Sequence, residues 1–199
     1  MITRSIAPMT LGVVAAAALA GCSSGGDGLA PSGTAATSAT SAASSAAPKV
    51  THPLDASKVL ETPCSALTTS DLGGISVGAA TGQPRQSDYG PGCDWQGTVY
   101  GASAGASIGW ETIDKKGLSD YYTQKSDAGY WIPTTVSGYP AVFADLNGDY
   151  RSTGSCTINV GVSDSLYFLA TADSAPDGNT ACQRARQAAA DVIKNLGGS

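Results

Sequence analysis

Two overlapping pentapeptides, Gly101 to Gly105 (GASAG) and Gly105 to Gly109 (GASIG), match G-x-S-x-G, the nucleophile elbow of hydrolases. The elbow needs a sharp strand-to-helix turn and a histidine base later in the chain. The one histidine, His52, comes before both, so Ser103 and Ser107 read as small residues of a hairpin. "DLNGD" places Asp145, Asn147 and Asp149 at the first, third and fifth positions of an EF-hand loop. That loop needs glycine at position six and a bidentate Glu at position twelve, where Tyr150 and Cys156 stand instead. Asn147-Gly148 is instead expected to turn a two-residue type I′ hairpin. Asp88 with Asp94, and Asp145 with Asp149, are spaced as acid pairs for glycoside chemistry. Each pair flanks a turn, where solvated acids are the simpler expectation. His52 lies in "VTHPLD" with no partner nearby and reads as a solvated loop residue. No phosphate-cradling glycine loop is present. A non-catalytic chain is expected, with no cofactor and no metal.

Aromatic residues carry the remaining chemistry. "GYWIP" sets Tyr130 beside Trp131, and neighbouring strand residues face opposite sides, so one of the two must be exposed or line a groove. Tyr121 and Tyr122 precede them on a short helical stretch. Tyr121, Tyr122, Tyr130 and Trp131 therefore form a candidate binding surface, with Trp110 and Tyr139 able to extend it. Tyr and Trp combine an apolar body with a polar tip, which suits partner or glycan contact.

"LAGCSSGG", residues 19–26, bears on location. Arg4 is followed by an uncharged apolar run from Ile6 to Ala20, the layout of a secretory signal over residues 1–21. Leu19-Ala20-Gly21-Cys22 resembles the bacterial lipobox. The resemblance implies a diacylglycerol thioether on Cys22, cleavage ahead of it, and a protein held at the outer face of the cell membrane by lipid. Two or three acyl chains anchor stably where one does not. From Ser23 to about Ala47 the chain is nearly all Ser, Gly, Ala and Thr, too poor in apolar bulk to offset ordering entropy. Residues 22–57 thus read as a lipidated cysteine with a disordered tether, whose Ser23–Ala47 tract spans about 25–30 Å as a coil.

Residues 58–199 remain for one domain of ordinary size. Loss of Arg4 leaves 10 of the 11 Lys and Arg against 16 Asp and Glu, moving the net charge from −5 to −6. That balance argues against nucleic acid, whose binding rests on neutralising phosphates with basic side chains. Four cysteines, Cys64, Cys93, Cys156 and Cys182, read as two disulfides in an exported domain. Three pairings are open. Cys64–Cys93 with Cys156–Cys182 is preferred, because it closes two loops of similar moderate length.

The coarse element order is α-β-β-α-β-β-β-α. Thr62 and Pro63 look like the cap and first residue of a helix. "CDWQGTVY", "AGASIGWET", "YPAVFA", "SCTINVGV" and "SLYFLATA" read as strands. From Thr180 to Leu196, Ala181, Ala185, Ala189, Val192 and Leu196 recur at helical spacing before Gly197. The fold class expected is α+β, an antiparallel sheet of about five strands covered by helices.

Pro63-Cys64-Ser65-Ala66-Leu67, Gly92-Cys93-Asp94-Trp95, Gly138-Tyr139-Pro140-Ala141, Cys156-Thr157-Ile158-Asn159-Val160 and Cys182-Gln183-Arg184-Ala185 are together similar to the actinobacterial lipoproteins grouped under domain of unknown function 3558. The resemblance spans Thr62 to Leu196 and implies the lipid-anchored location and the fold, with no activity attached. The expectation is a cell-envelope lipoprotein whose domain binds an envelope protein or ligand. The alternatives are a carrier of a small apolar or lipid ligand and, behind it, an unrecognised hydrolase.

Overall fold

The computed structural model describes residues 46–99 and 102–198. Cys22, the signal segment and most of the expected tether lie outside the described residues. Among those described, no helix is long and apolar enough to cross a membrane.

Seven strands form one antiparallel sheet: β1 (Gly82–Gln86), β2 (Pro91–Val99), β3 (Ala102–Glu111), β4 (Trp131–Val136), β5 (Tyr139–Ala144), β6 (Cys156–Ser163) and β7 (Leu166–Asp173). Their spatial order is β1-β2-β3-β7-β6-β5-β4. The expectation of about five strands is therefore corrected to seven. The two additional strands are the sheet edges. Each contains a proline, Pro84 in β1 and Pro133 in β4, and each pairs on one side only. Proline lacks the N–H that a central strand must donate, so it sits at an edge, and there it masks the strand pattern.

Period-two alternation divides the sheet into two faces. Ala106, Ile108 and Trp110 of β3 align with Ala172, Ala170 and Phe168 of β7, and these with Cys156, Ile158 and Val160 of β6. All nine are buried. Helix α4, the last element (Gly178–Asn195), covers this face with Ala181, Ala185, Ala188, Ala189, Val192 and Ile193. The alanines let the helix sit close to the sheet. Val192 and Ile193 are fully buried, each worth roughly 1.5–3 kcal/mol. Asp177 caps the helix by accepting from Thr180 N at 2.8 Å.

Among the described residues, three short helices precede α4: α1 (Ser57–Glu61), α2 (Thr69–Gly74) and α3 (Leu118–Tyr122). A 3-10 turn, Pro63–Ala66, stands where a helix capped by Thr62 was expected. The helix proper, α2, starts later, behind its N-cap Thr68, whose side chain and Asp71 form a capping box. Disulfide Cys64–Cys93 ties the 3-10 turn to β2, and Cys156–Cys182 ties the start of β6 to α4.

Residues 46–57, given to the tether by composition, lie along the domain. Ala47 and Ala56 are buried. Leu54 N donates to Val162 O at 2.9 Å, and Lys49 pairs with Asp164 at 3.0 Å.

Asn147-Gly148 does not make the expected two-residue hairpin. The strands it was to join end at Ala144 and resume at Cys156, and Asp145 Oδ1 takes Asn147 N at 2.8 Å in an Asx turn. A local side-chain acceptor has won over the hairpin preference.

Candidate functional site

The second face of the sheet stays partly open. One rung of aligned residues runs across it as Arg85, Gly92, Gly109, Leu169, Asn159, Val142 and Pro133. At the β5 end, α3 lays Leu118 and Tyr121 over Val142, Ala144 and Tyr167 in a second, smaller core. At the β1 end no helix among the described residues covers the rung, and glycines take its middle. A methyl group at Gly109 would lie 3.1 Å from Arg85 Nη2 and 3.3 Å from Leu169 Cδ1. The result is a cup of about 340 Å³ over the sheet, with Arg85, Tyr89, Glu111, Tyr121, Asp145, Asn159 and Tyr167 among its wall residues.

Most polar groups of the wall are engaged. Tyr121 donates to Ala144 O at 3.3 Å and Tyr167 to Asp114 Oδ2 at 3.1 Å. Thr157 Oγ1 donates to Asp145 Oδ2 at 3.2 Å, and Arg85 Nε to Asp94 Oδ1 at 3.1 Å. Asn159 is 1% exposed; its Nδ2 donates to Ala144 O at 3.0 Å, while its Oδ1 has no partner. A buried amide oxygen left without a donor costs on the order of 1–3 kcal/mol. Trp110 Nε1 is likewise unpartnered, but that ring packs on Phe168 at 5.1 Å in the helix-side core.

Glu111 sits in the same wall, 8% exposed. Burial, and then the charge of Asp114, push its carboxyl up to about 7, against a smaller downward pull from Arg85. Burial also raises the hydroxyls of Tyr121 and Tyr167, which therefore remain protonated donors.

The rim is set by the turn between β1 and β2. Tyr89 is 58% exposed, and its carbonyl accepts from Thr112 N and Oγ1 at 2.9 and 3.0 Å. Gly90 has φ +150°, and a Cβ there would meet Trp110 O at 2.3 Å.

Of the four aromatic residues singled out from the sequence, three come together. Trp131 stacks on Tyr121 at 5.7 Å and takes Tyr122 edge-on at 4.9 Å. Tyr121 lines the cup, whereas Tyr122 and Trp131 are half-buried beside it. Tyr130 belongs to the other face: it is buried, accepts from Thr157 N at 2.9 Å, and lies 4.3 Å beneath the Arg151 guanidinium.

The acid pairs do not assemble. Asp145 lines the cup, but Asp149 is bound to Arg151 at 2.6 Å, which with a second bond to the Arg151 backbone holds it down to about 2. Asp94 is paired with Arg85, and Asp88 is exposed. Ser103 and Ser107 lie inside β3, with no strand-to-helix turn at either. His52 is exposed and contributes its carbonyl to Tyr139 OH at 3.0 Å. It borders a broader groove near Gly138 and Gly197, which holds no buried unpartnered polar group. Among the described residues, no group of three or more His, Cys, Asp or Glu could hold a metal ion.

Glu111, Asn159, Tyr167, Arg85 and Tyr89 escaped sequence reasoning. The signal was present as alternation: Ser107, Gly109 and Glu111 interleave with Ala106, Ile108 and Trp110, and Thr157 and Asn159 with Cys156, Ile158 and Val160.

No curated protein and no solved structure matches the chain. Residues 17–195 match the family described as "Protein of unknown function (DUF3558)", and the chain belongs to that family.

Proposed function

We propose that this chain is a lipid-anchored cell-envelope lipoprotein of the actinobacterial type, held on the extracytoplasmic side through Cys22, and that its domain is a non-catalytic module binding a small polar ligand in the cup. The observation that carries the reading is Asn159 Oδ1, a buried acceptor with no partner in the wall of a concave site. Orphaned buried polar groups are rare in folded proteins, and a few placed polar groups in a concave site are what orients a bound ligand. The lipobox and the tether composition support the location.

A carrier of apolar or lipid cargo is the weaker reading. Hydrocarbon in the cup would desolvate Glu111, Asp114 and Asp145 and return no hydrogen bonds.

Native mass spectrometry of the protein extracted gently from its own membrane tests the proposal. The acylated mass at Cys22 is the control. A non-covalent adduct that disappears in Gly109→Val, with the fold retained, supports the cup as the site. An adduct that persists in Gly109→Val, or an empty wild-type chain, overturns it.

A further inference from the structure

Two acceptors in the wall of the cup, Asn159 Oδ1 and the Glu111 carboxylate, take no hydrogen bond from the described residues. The hydroxyls of Tyr121, Tyr167 and Thr157, the Arg85 Nε and the Asn159 Nδ2 all donate to protein acceptors. The acceptors left over are thus Asn159 Oδ1 and the Glu111 carboxylate; the donors left over are the Arg85 Nη groups, beside Gly109, and the Gln124 amide. Charge is unbalanced. Glu111, Asp114 and Asp145 border the cup, and Arg85, the one cation among its described wall residues, pairs through Nε with Asp94. A ligand that completes these two acceptors must bring hydrogen-bond donors, and the three acids favour one that carries positive charge. Tyrosine rings in the same wall favour a cation with an organic body, since a ring face attracts a nearby ammonium by roughly 0.5–2 kcal/mol.

We propose that the cup binds a small organic ammonium ion, whose N–H groups donate to Asn159 Oδ1 and to the Glu111 carboxylate while its carbon skeleton lies against the wall tyrosines. This rests on the cup being the binding site. The chemistry selects against anions, which meet three carboxylates. It also selects against neutral alcohols, which supply one donor and no charge.

The test uses the full-length ¹⁵N-labelled protein in a neutral maltoside detergent at pH 8, titrated with benzylammonium, benzyl alcohol and phenylacetate. The side-chain amide signals of Asn159 report on the cup. Benzylammonium is expected to shift them saturably and to bind about tenfold or more tighter than benzyl alcohol, a difference of about 1.4 kcal/mol. Phenylacetate is expected to leave them unmoved. Glu111→Gln is expected to erase the preference for benzylammonium over benzyl alcohol, and added salt to weaken the wild type. Equal or tighter binding of benzyl alcohol or phenylacetate at Asn159 overturns the ammonium assignment and leaves the cup as the site. No shift at Asn159 with any of the three probes overturns both. Should Glu111→Gln not fold, a wild-type preference indifferent to salt overturns the charge argument by itself.

Discussion

Tyr167 donates its hydroxyl to Asp114 Oδ2 across 3.1 Å, which fixes the Asp114 charge beside the buried carboxyl of Glu111. Burial first, and the charge of Asp114 second, push the Glu111 carboxyl up to about 7. Arg85, Asp145 and Tyr121 face the same cup.

The sign of the resulting pH dependence follows from linkage. Glu111 ionises near 4.5 when unfolded and near 7 when folded, so the native state binds the extra proton between those values. Its contribution to stability is fully present below about 4.5 and is lost as pH rises through about 7. Glu111→Gln should therefore be more stable than wild type at pH 8 by about 1–3 kcal/mol, with little difference at pH 4. Denaturant titrations at both pH values check this. The same ionisation should make benzylammonium bind more tightly at pH 8 than at pH 6.

Asn159→Leu should fold with stability within about 1 kcal/mol of wild type, or above it, because it removes an orphaned acceptor. Ala144 O, which loses the Asn159 amide, keeps the Tyr121 hydroxyl at 3.3 Å. Urea unfolding measures the stability, and benzylammonium calorimetry should show the ligand lost. Strong destabilisation would mean that the amide has a structural partner role.

Replacing Cys156 and Cys182 together by serine should cost about 3–4 kcal/mol on the chain-entropy account of disulfides, itself a disputed model. Cys156 opens the strand that carries Thr157 and Asn159, so the wall of the cup should loosen with it. Unfolding with and without reductant, followed at the Asn159 side-chain signals, separates the global from the local effect.

Gly90→Ala should destabilise by about 1–3 kcal/mol or more, since it combines an unfavourable positive φ with backbone crowding. Its Cβ would fall 2.3 Å from Trp110 O, and the turn holding Tyr89 at the rim would have to move. Thermal unfolding gives the cost, and a weakened benzylammonium affinity would show that the rim matters.

Cys22→Ser should release the protein from the membrane into the soluble fraction and lower its mass by the missing lipid. Fractionation with intact-mass measurement checks both. Retention on the membrane would remove the lipid anchor from the proposed function.

What the sequence determined by itself was local chemistry. Four domain cysteines, alternating strands such as Ser155–Val162 and the alanine-striped last helix each report their own surroundings through period and composition. So the antiparallel sheet with helices and the presence of two disulfides were legible, while the choice among three pairings was made by the fold. The edge strands were not, because Pro84 and Pro133 suppress the strand pattern where an edge tolerates them. The cup was invisible for a different reason. Its floor and walls come from one rung across β1, β2, β3, β7 and β6, so Arg85, Gly109 and Asn159 meet only through register. Register is set by pairing between distant segments, and a one-residue slip would turn every one of these side chains to the other face. The same pairing separates Tyr130 from Trp131, sending one into the helix-covered core and the other beside Tyr121 at the cup.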